Sequence, residues 1–213
     1  MTFVPEPGVL AFYAISCLIL FATPGPDMSL WLAKTMSAGR RGGFAAMLGT
    51  QTGLIVHTLC AAIGLSALIA ASATAFALMK IVGALYLAWL AIQAIRSGSA
   101  LDVRIEAPSE TPAWRIFLSG LMVNITNPKV VLFFVTFLPQ FINPQDPHAP
   151  GKLLFLGLFF IAVNISLSLL LILGAERVIG WLKRRPRILR GIDYTFAGVF
   201  GLFAVKILTA QSR

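Results

Sequence analysis

Between Gly42 and Met79 the chain carries no Asp, Glu, Lys or Arg. A charge-free stretch of that length belongs inside a bilayer, where about 20 apolar residues cross the ~30 Å hydrocarbon core. It is too long for one span, and it divides near Ala70 to Thr74, where small residues cluster. The whole chain follows suit: 58% of its residues are hydrophobic and 12% charged, against about 25% charged in soluble domains. An all-α membrane protein is expected. The first Lys or Arg is Lys34, so the leading apolar run lacks the basic flank of a cleaved signal peptide, and the first helix is expected to be retained.

Apolar runs place six transmembrane helices at about Val9–Trp31, Phe44–Ala70, Ala75–Ile95, Ile116–Phe137, Leu153–Ala175 and Ile192–Leu208. Between helices 1 and 2 lies a basic, glycine-rich loop of Lys34, Gly39, Arg40, Arg41, Gly42 and Gly43. Residues 97–115 form a polar cytoplasmic connection, which divides a single transmembrane domain, 1–213, into a first three-helix repeat, 1–96, and a second, 116–213. Most of the 17 basic residues follow helices 1, 3 and 5. The positive-inside rule makes those loops cytoplasmic and both termini periplasmic. In the stretch 177–190, Lys183, Arg184, Arg185 and Arg187 alternate with Ile179, Trp181 and Leu182. This reads as an amphipathic segment lying on anionic lipid headgroups. Membrane apposition accounts for the net charge of +9 without nucleic acid.

The interruptions carry the functional information. Thr23-Pro24-Gly25-Pro26-Asp27 sits in the apolar run of helix 1, and Asn124-Ile125-Thr126-Asn127-Pro128-Lys129 in that of helix 4. Proline lacks the backbone N–H and clashes with the preceding turn, so both helices must break. Exposed backbone at membrane depth survives only where protein or a water-filled cavity satisfies it. A carboxylate there costs roughly 2.5–3.5 kcal/mol on insertion scales. Two halves of three spans, each opening on a broken helix near the midplane, form an inverted repeat, and such breaks mark a transport site. Pro24 lies ~22 Å from one face and Pro128 ~18 Å from the other. A direct Asp27–Lys129 pair and separate places along one path therefore both stay open.

Half-helix ends suit a carboxylate at the positive end and an ammonium at the freed carbonyls. An amino acid fits both, without excluding another small zwitterion or anion. In helix 2, Gly49 and Gly53 flank Gln51 at a small-xxx-small spacing. Packing is the simpler reading for the glycines, and Gln51 is a candidate substrate contact. His57 and Asn164 suit interhelical hydrogen bonds better than a relay. Cys17 and Cys60 have no metal-ligand spacing, and neither metal nor cofactor is expected. The Gly49/Gly53 face and Gly198/Gly201 suit internal packing and a homodimer equally. No Ser/His/Asp set, metal cluster or phosphate loop points to an enzyme. A passive channel, an exporter of metal or another solute, and a non-transporting scaffold remain as alternatives.

Thr23-Pro24-Gly25-Pro26-Asp27, the glycine-rich start of helix 2, the run from Lys80 through Gly83 to Tyr86, and Asn127-Pro128-Lys129 resemble, in this order, the lysine/homoserine exporter family, the LysE/RhtB type of bacterial amino-acid efflux proteins. The resemblance covers essentially the whole chain. It implies six spans in a bacterial inner membrane and export of an amino acid or a derivative, energised by the proton gradient. Carried onto this sequence, it implies a site of Pro24, Gly25, Pro26, Asp27, Asn127, Pro128 and Lys129. Gln51 and Asn124 join them from the reading of the residues, and Asp27 is the candidate proton carrier.

Overall fold

A computed structural model describes residues 4–65, 72–97, 111–143 and 146–210, and every regular element among them is helical. The elements are α1 (Pro7–Ala22), α2 (Pro26–Cys60), α3 (Ala73–Ser97), α4 (Ala113–Ile125), α5 (Pro128–Leu132), α6 (Ala149–Leu173), α7 (Ala175–Arg184) and α8 (Pro186–Ala210). A π-helical turn, Ala61–Leu65, extends α2. Another, Phe133–Phe137, leads from α5 into a short 3-10 helix, Leu138–Phe141. The connection at 97–115 lies mostly, and the split near Ala70 to Thr74 partly, outside the described residues.

Proline chemistry sets the breaks. A residue before proline is pushed out of the helical region, and Thr23, Gly25 and Asn127 all have extended backbones (ψ 114°, −177° and 109°). The same prolines then start the next helix, since a missing N–H costs nothing at the first helical position. Pro26 opens α2 and Pro128 opens α5. α4 and the segment Pro128–Phe141 meet at 50°.

α2 is not one straight rod. At Ala38 and Gly39 the backbone leaves the helical region, with Gly39 at φ 67°, ψ −174°, where a Cβ is strained. The chain doubles back there: the Trp31 indole N–H donates to Thr50 Oγ1 at 3.0 Å, although the two would lie ~28 Å apart along a continuous helix. Gly42 and Gly43 let the two arms close, because a Cβ on Gly42 would meet the Lys34 carbonyl at 2.8 Å and one on Gly43 the Thr35 hydroxyl at 2.1 Å. The loop expected from Lys34 to Gly43 is thus a turn at Ala38–Gly39 between helical arms.

α2 packs along α4 and α6, and α3 along α8. Lipid offers apolar chains no reason to leave it, so helices associate through close packing and hydrogen bonds. A Cβ on Gly49 would lie 2.0 Å from the Phe117 carbonyl, and one on Gly120 2.3 Å from the Ala46 carbonyl. The Gly49 face is thereby consumed inside the chain. Beside the break, Tyr13, Phe133, Phe134, Phe137 and Phe160 form the centre of the core, with the Tyr13 hydroxyl donating to the Leu156 carbonyl at 3.0 Å. Outward, α3 shows Leu78, Val82, Leu85, Trp89 and Ile92, all exposed, an apolar stripe suited to lipid. Ala149–Leu173 is long and apolar enough to cross a membrane, as is a stretch within Pro26–Gly64, and the bent Ala113–Phe141 pair makes a third such run.

The segment 177–190 divides at Pro186 between α7 and α8, so α8 begins earlier than the expected Ile192. On α7, Ile179 is buried while Arg177 and Trp181 are exposed. The side chains of Lys183 and Arg184 lie outside the described residues.

Candidate functional site

The two breaks meet, and each supplies what the other lacks. In both restarted helices proline is the first residue and a charged residue the second: Pro26-Asp27 and Pro128-Lys129. The Lys129 ammonium reaches across to the end of α1, where it donates to the Thr23 carbonyl at 2.8 Å and the Leu20 carbonyl at 3.2 Å. In the other direction, the Asp27 carboxylate accepts from Asn124 Nδ2 at 2.7 Å and Asn127 Nδ2 at 3.1 Å. The question of a direct Asp27–Lys129 pair is answered by these partners: each charge is held by polar groups of the opposite break.

The threonine before each break plays a matching part. Thr23 donates its amide and its hydroxyl to the Ile19 carbonyl (3.1 and 2.9 Å), and Thr126 donates both to the Met122 carbonyl (3.0 and 2.8 Å). In each, the hydroxyl adds a second donor to the carbonyl that the last helical amide before the break already serves. Asn127 also caps α5, its Oδ1 accepting from the Lys129 amide at 3.1 Å. Close approach depends on Gly25, whose Cβ would lie 3.1 Å from Lys129 Nζ. Gly53 serves Asn124 in the same way, at 2.4 Å from its Oδ1.

Of the residues expected at the site, Pro24, Gly25, Pro26, Asp27, Asn124, Asn127, Pro128 and Lys129 come together at this junction. Gln51 instead donates from Nε2 to Asn164 Oδ1 at 2.7 Å, tying α2 to α6. Its own Oε1 is buried with no partner. Asn164 then borders a cavity with Leu20, Thr23, Asp27, Trp31, Phe160 and Lys129. The cavity leaves about 30 Å3, room for a water or two and too little for an amino acid, so the junction is closed in this conformation. His57 Nε2 lies 3.3 Å from the Asn124 carbonyl and its ring stacks on Phe134, the interhelical role its sequence position pointed to.

Sequence reading passed over the Leu20 and Thr23 carbonyls. The signal was present: Leu20 is four residues before Pro24, which has no N–H to give it. Trp31 was also missed, for want of any polar neighbour in sequence to mark it. A second cavity, of about 520 Å3, opens further along α2 between Thr35, Met36, Gly39 and Arg40 on one side and Ile172, Gly174 and Arg177 on the other.

A family model described as LysE type translocator matches residues 18–211. The chain belongs to that family. This LysE type translocator is 32% identical over 199 residues, 93% of its length and 95% of the relative's, to a homoserine/homoserine lactone efflux protein of Salmonella typhimurium. The corresponding protein of Salmonella typhi is equally similar. It is 31% identical over 203 residues to an uncharacterized membrane protein of Vibrio cholerae, with 94% and 96% of the two chains covered. No solved structure matches it. The translocator is a multi-pass membrane transporter.

Proposed function

We propose that this translocator exports an amino acid or a small amino-acid derivative across the bacterial inner membrane, driven by the proton gradient, and that the solute crosses where the two broken helices meet. One observation carries the reading: Asp27 and Lys129, each in the first turn of a restarted helix, reach into the opposite break. Charges inside spans are costly and mark pathways. The names of the Salmonella relatives add chemistry. Homoserine and its lactone share an α-ammonium, and only homoserine has a free carboxylate. A carrier of both recognises the ammonium first, and freed carbonyls are the groups that do so.

In this reading the chain forms six spans in two inverted repeats, 1–96 and 116–213, joined by 97–115. The reciprocity of the breaks and the pairing of α3 with α8 support it. Asp27 carries the proton, with Pro24, Gly25, Pro26, Gln51, Asn124, Asn127, Pro128 and Lys129 shaping the path. The end bearing Arg40 and Arg177 faces the cytoplasm, where α7 meets anionic headgroups, and both termini are periplasmic. Opening the closed junction takes a rocking of one half against the other.

Purified protein in liposomes, loaded in turn with labelled amino acids and homoserine lactone, tests this. Gradient-dependent release, lost in Asp27→Asn, is the expected result. Release of the same solutes at a rate indifferent to the gradient makes the protein a passive channel, and folded protein that releases none of them overturns the reading. An Asp27→Asn variant with unchanged gradient dependence removes Asp27 as the coupling group.

A further inference from the structure

We infer that the carbonyl oxygens of Leu20 and Thr23 are the binding site for a primary ammonium, and that Lys129 fills it as a tethered occupant which the ammonium of the arriving solute displaces. The inference takes from the export reading only the identity of the molecule that brings the ammonium.

The acceptors exist because of the sequence. The Leu20 carbonyl would bond the amide four residues on, but that residue is Pro24. The Thr23 carbonyl faces the same loss, since the chain is extended at Thr23 and Gly25 before α2 begins. Buried carbonyls without donors are expensive where no bulk water reaches. The structure answers with an ammonium: Lys129 Nζ lies 2.8 Å from one oxygen and 3.2 Å from the other. A lysine ammonium and the α-ammonium of an amino acid present the same three N–H donors, so what holds one holds the other.

The surroundings suit exchange. Leu20, Thr23, Asp27 and Lys129 all border one cavity, with Phe21, Trp31 and Phe160 beside them. A displaced Lys129 has the Asp27 carboxylate within that cavity as a counter-charge, so the swap moves an ammonium without stranding a charge. Gly25 leaves Nζ its room, its Cβ position being 3.1 Å away. A solute whose nitrogen carries no N–H, such as a quaternary ammonium, is refused.

The test is thermal unfolding of purified Lys129→Ala in detergent, with ethylammonium chloride, tetramethylammonium chloride or sodium chloride at equal ionic strength. Ethylammonium is expected to raise the Tm of the variant by about 2–4 °C over sodium, with no rise from tetramethylammonium. Wild-type protein should respond less than the variant, because its own lysine competes at high effective concentration. An equal response in wild type, or to tetramethylammonium, or none in the variant, overturns the inference. Lys129→Met, which keeps the apolar stem, carries the same test if the alanine variant does not fold. Failure of both to fold with ethylammonium present throughout purification also overturns it. A second measurement uses Gly25→Ala, whose methyl crowds the ammonium: the expected result is a Tm below that of wild type and a smaller ethylammonium response when it is combined with Lys129→Ala. Unfolding needs no transport, so amine binding without export fells the export reading alone, and export without amine binding fells this inference alone.

Discussion

Asn127 does two things with one amide. Its oxygen caps α5 and its nitrogen holds Asp27. Asn127→Asp separates them, because aspartate caps a helix as well as asparagine does but sets a carboxylate where Asp27 had a donor. Gradient-driven release is expected to fall about 10–100-fold, the worth of one hydrogen bond to a charged group. Circular dichroism should show the helix content unchanged. Initial release rates from liposomes check the first part, and a rate near wild type refutes it. At this scale much was legible: Asp27, Asn124, Asn127 and Lys129 stand out as polar residues in apolar runs. Gln51 stood out by the same logic, yet its partner Asn164 is 113 positions away, and nothing local in the sequence pairs them.

The two arms of α2 carry packing and, in the proposed function, passage. On the packing side, Gly49→Leu puts a side chain where the Phe117 backbone lies, and backbone cannot yield as a side-chain tip can. A loss of about 1–3 kcal/mol is expected from such overpacking, read as a lower Tm in detergent. Gly198→Ala, with nothing within 4 Å of the new methyl, should leave Tm unchanged within about 1 °C.

On the passage side, Asp27, Trp31 and Thr35 fall at four-residue spacing on one face of the first arm, with Asn164, Ser168 and Ile172 spaced alike on α6. The closed junction borders Asp27 and Asn164, and the wider cavity borders Thr35 and Ile172. Trp31, 2% exposed and hydrogen-bonded to Thr50, borders the closed junction one helical turn before Thr35. Trp31→Ala is expected to join the two cavities and to raise solute leak in the absence of a gradient several-fold. Leak no greater than that of wild type rejects a gating part for the indole. Sequence placed a glycine-rich loop between helices 1 and 2 but not its tightness: a glycine at 39 is compatible with many loops, and only the Trp31–Thr50 bond shows how tightly this one closes.

At the scale of the molecule, several of the described arginines lie near one another. Arg40 and Arg177 border the same cavity, and Arg190 donates to the Ala94 carbonyl at 3.3 Å, near the end of α3. Val9 and Asn143 border another cavity. In a Cys17→Ala/Cys60→Ala background, a membrane-impermeant maleimide added to intact cells should label Asn143→Cys and spare Arg177→Cys. The reverse pattern inverts the proposed orientation.

The sequence by itself determined that the chain enters a membrane and where its helices break. Both follow from properties that act locally, the transfer of apolar side chains into lipid and the absent N–H of Pro24, Pro26 and Pro128. The tertiary structure alone decided what satisfies each break. The bonds that do so join residues 97 to 109 positions apart, and they depend on α2 and α4 meeting backbone to backbone at Gly49 and Gly120. Close packing of that kind is a property of two surfaces together, so neither helix announces its partner in its own residues.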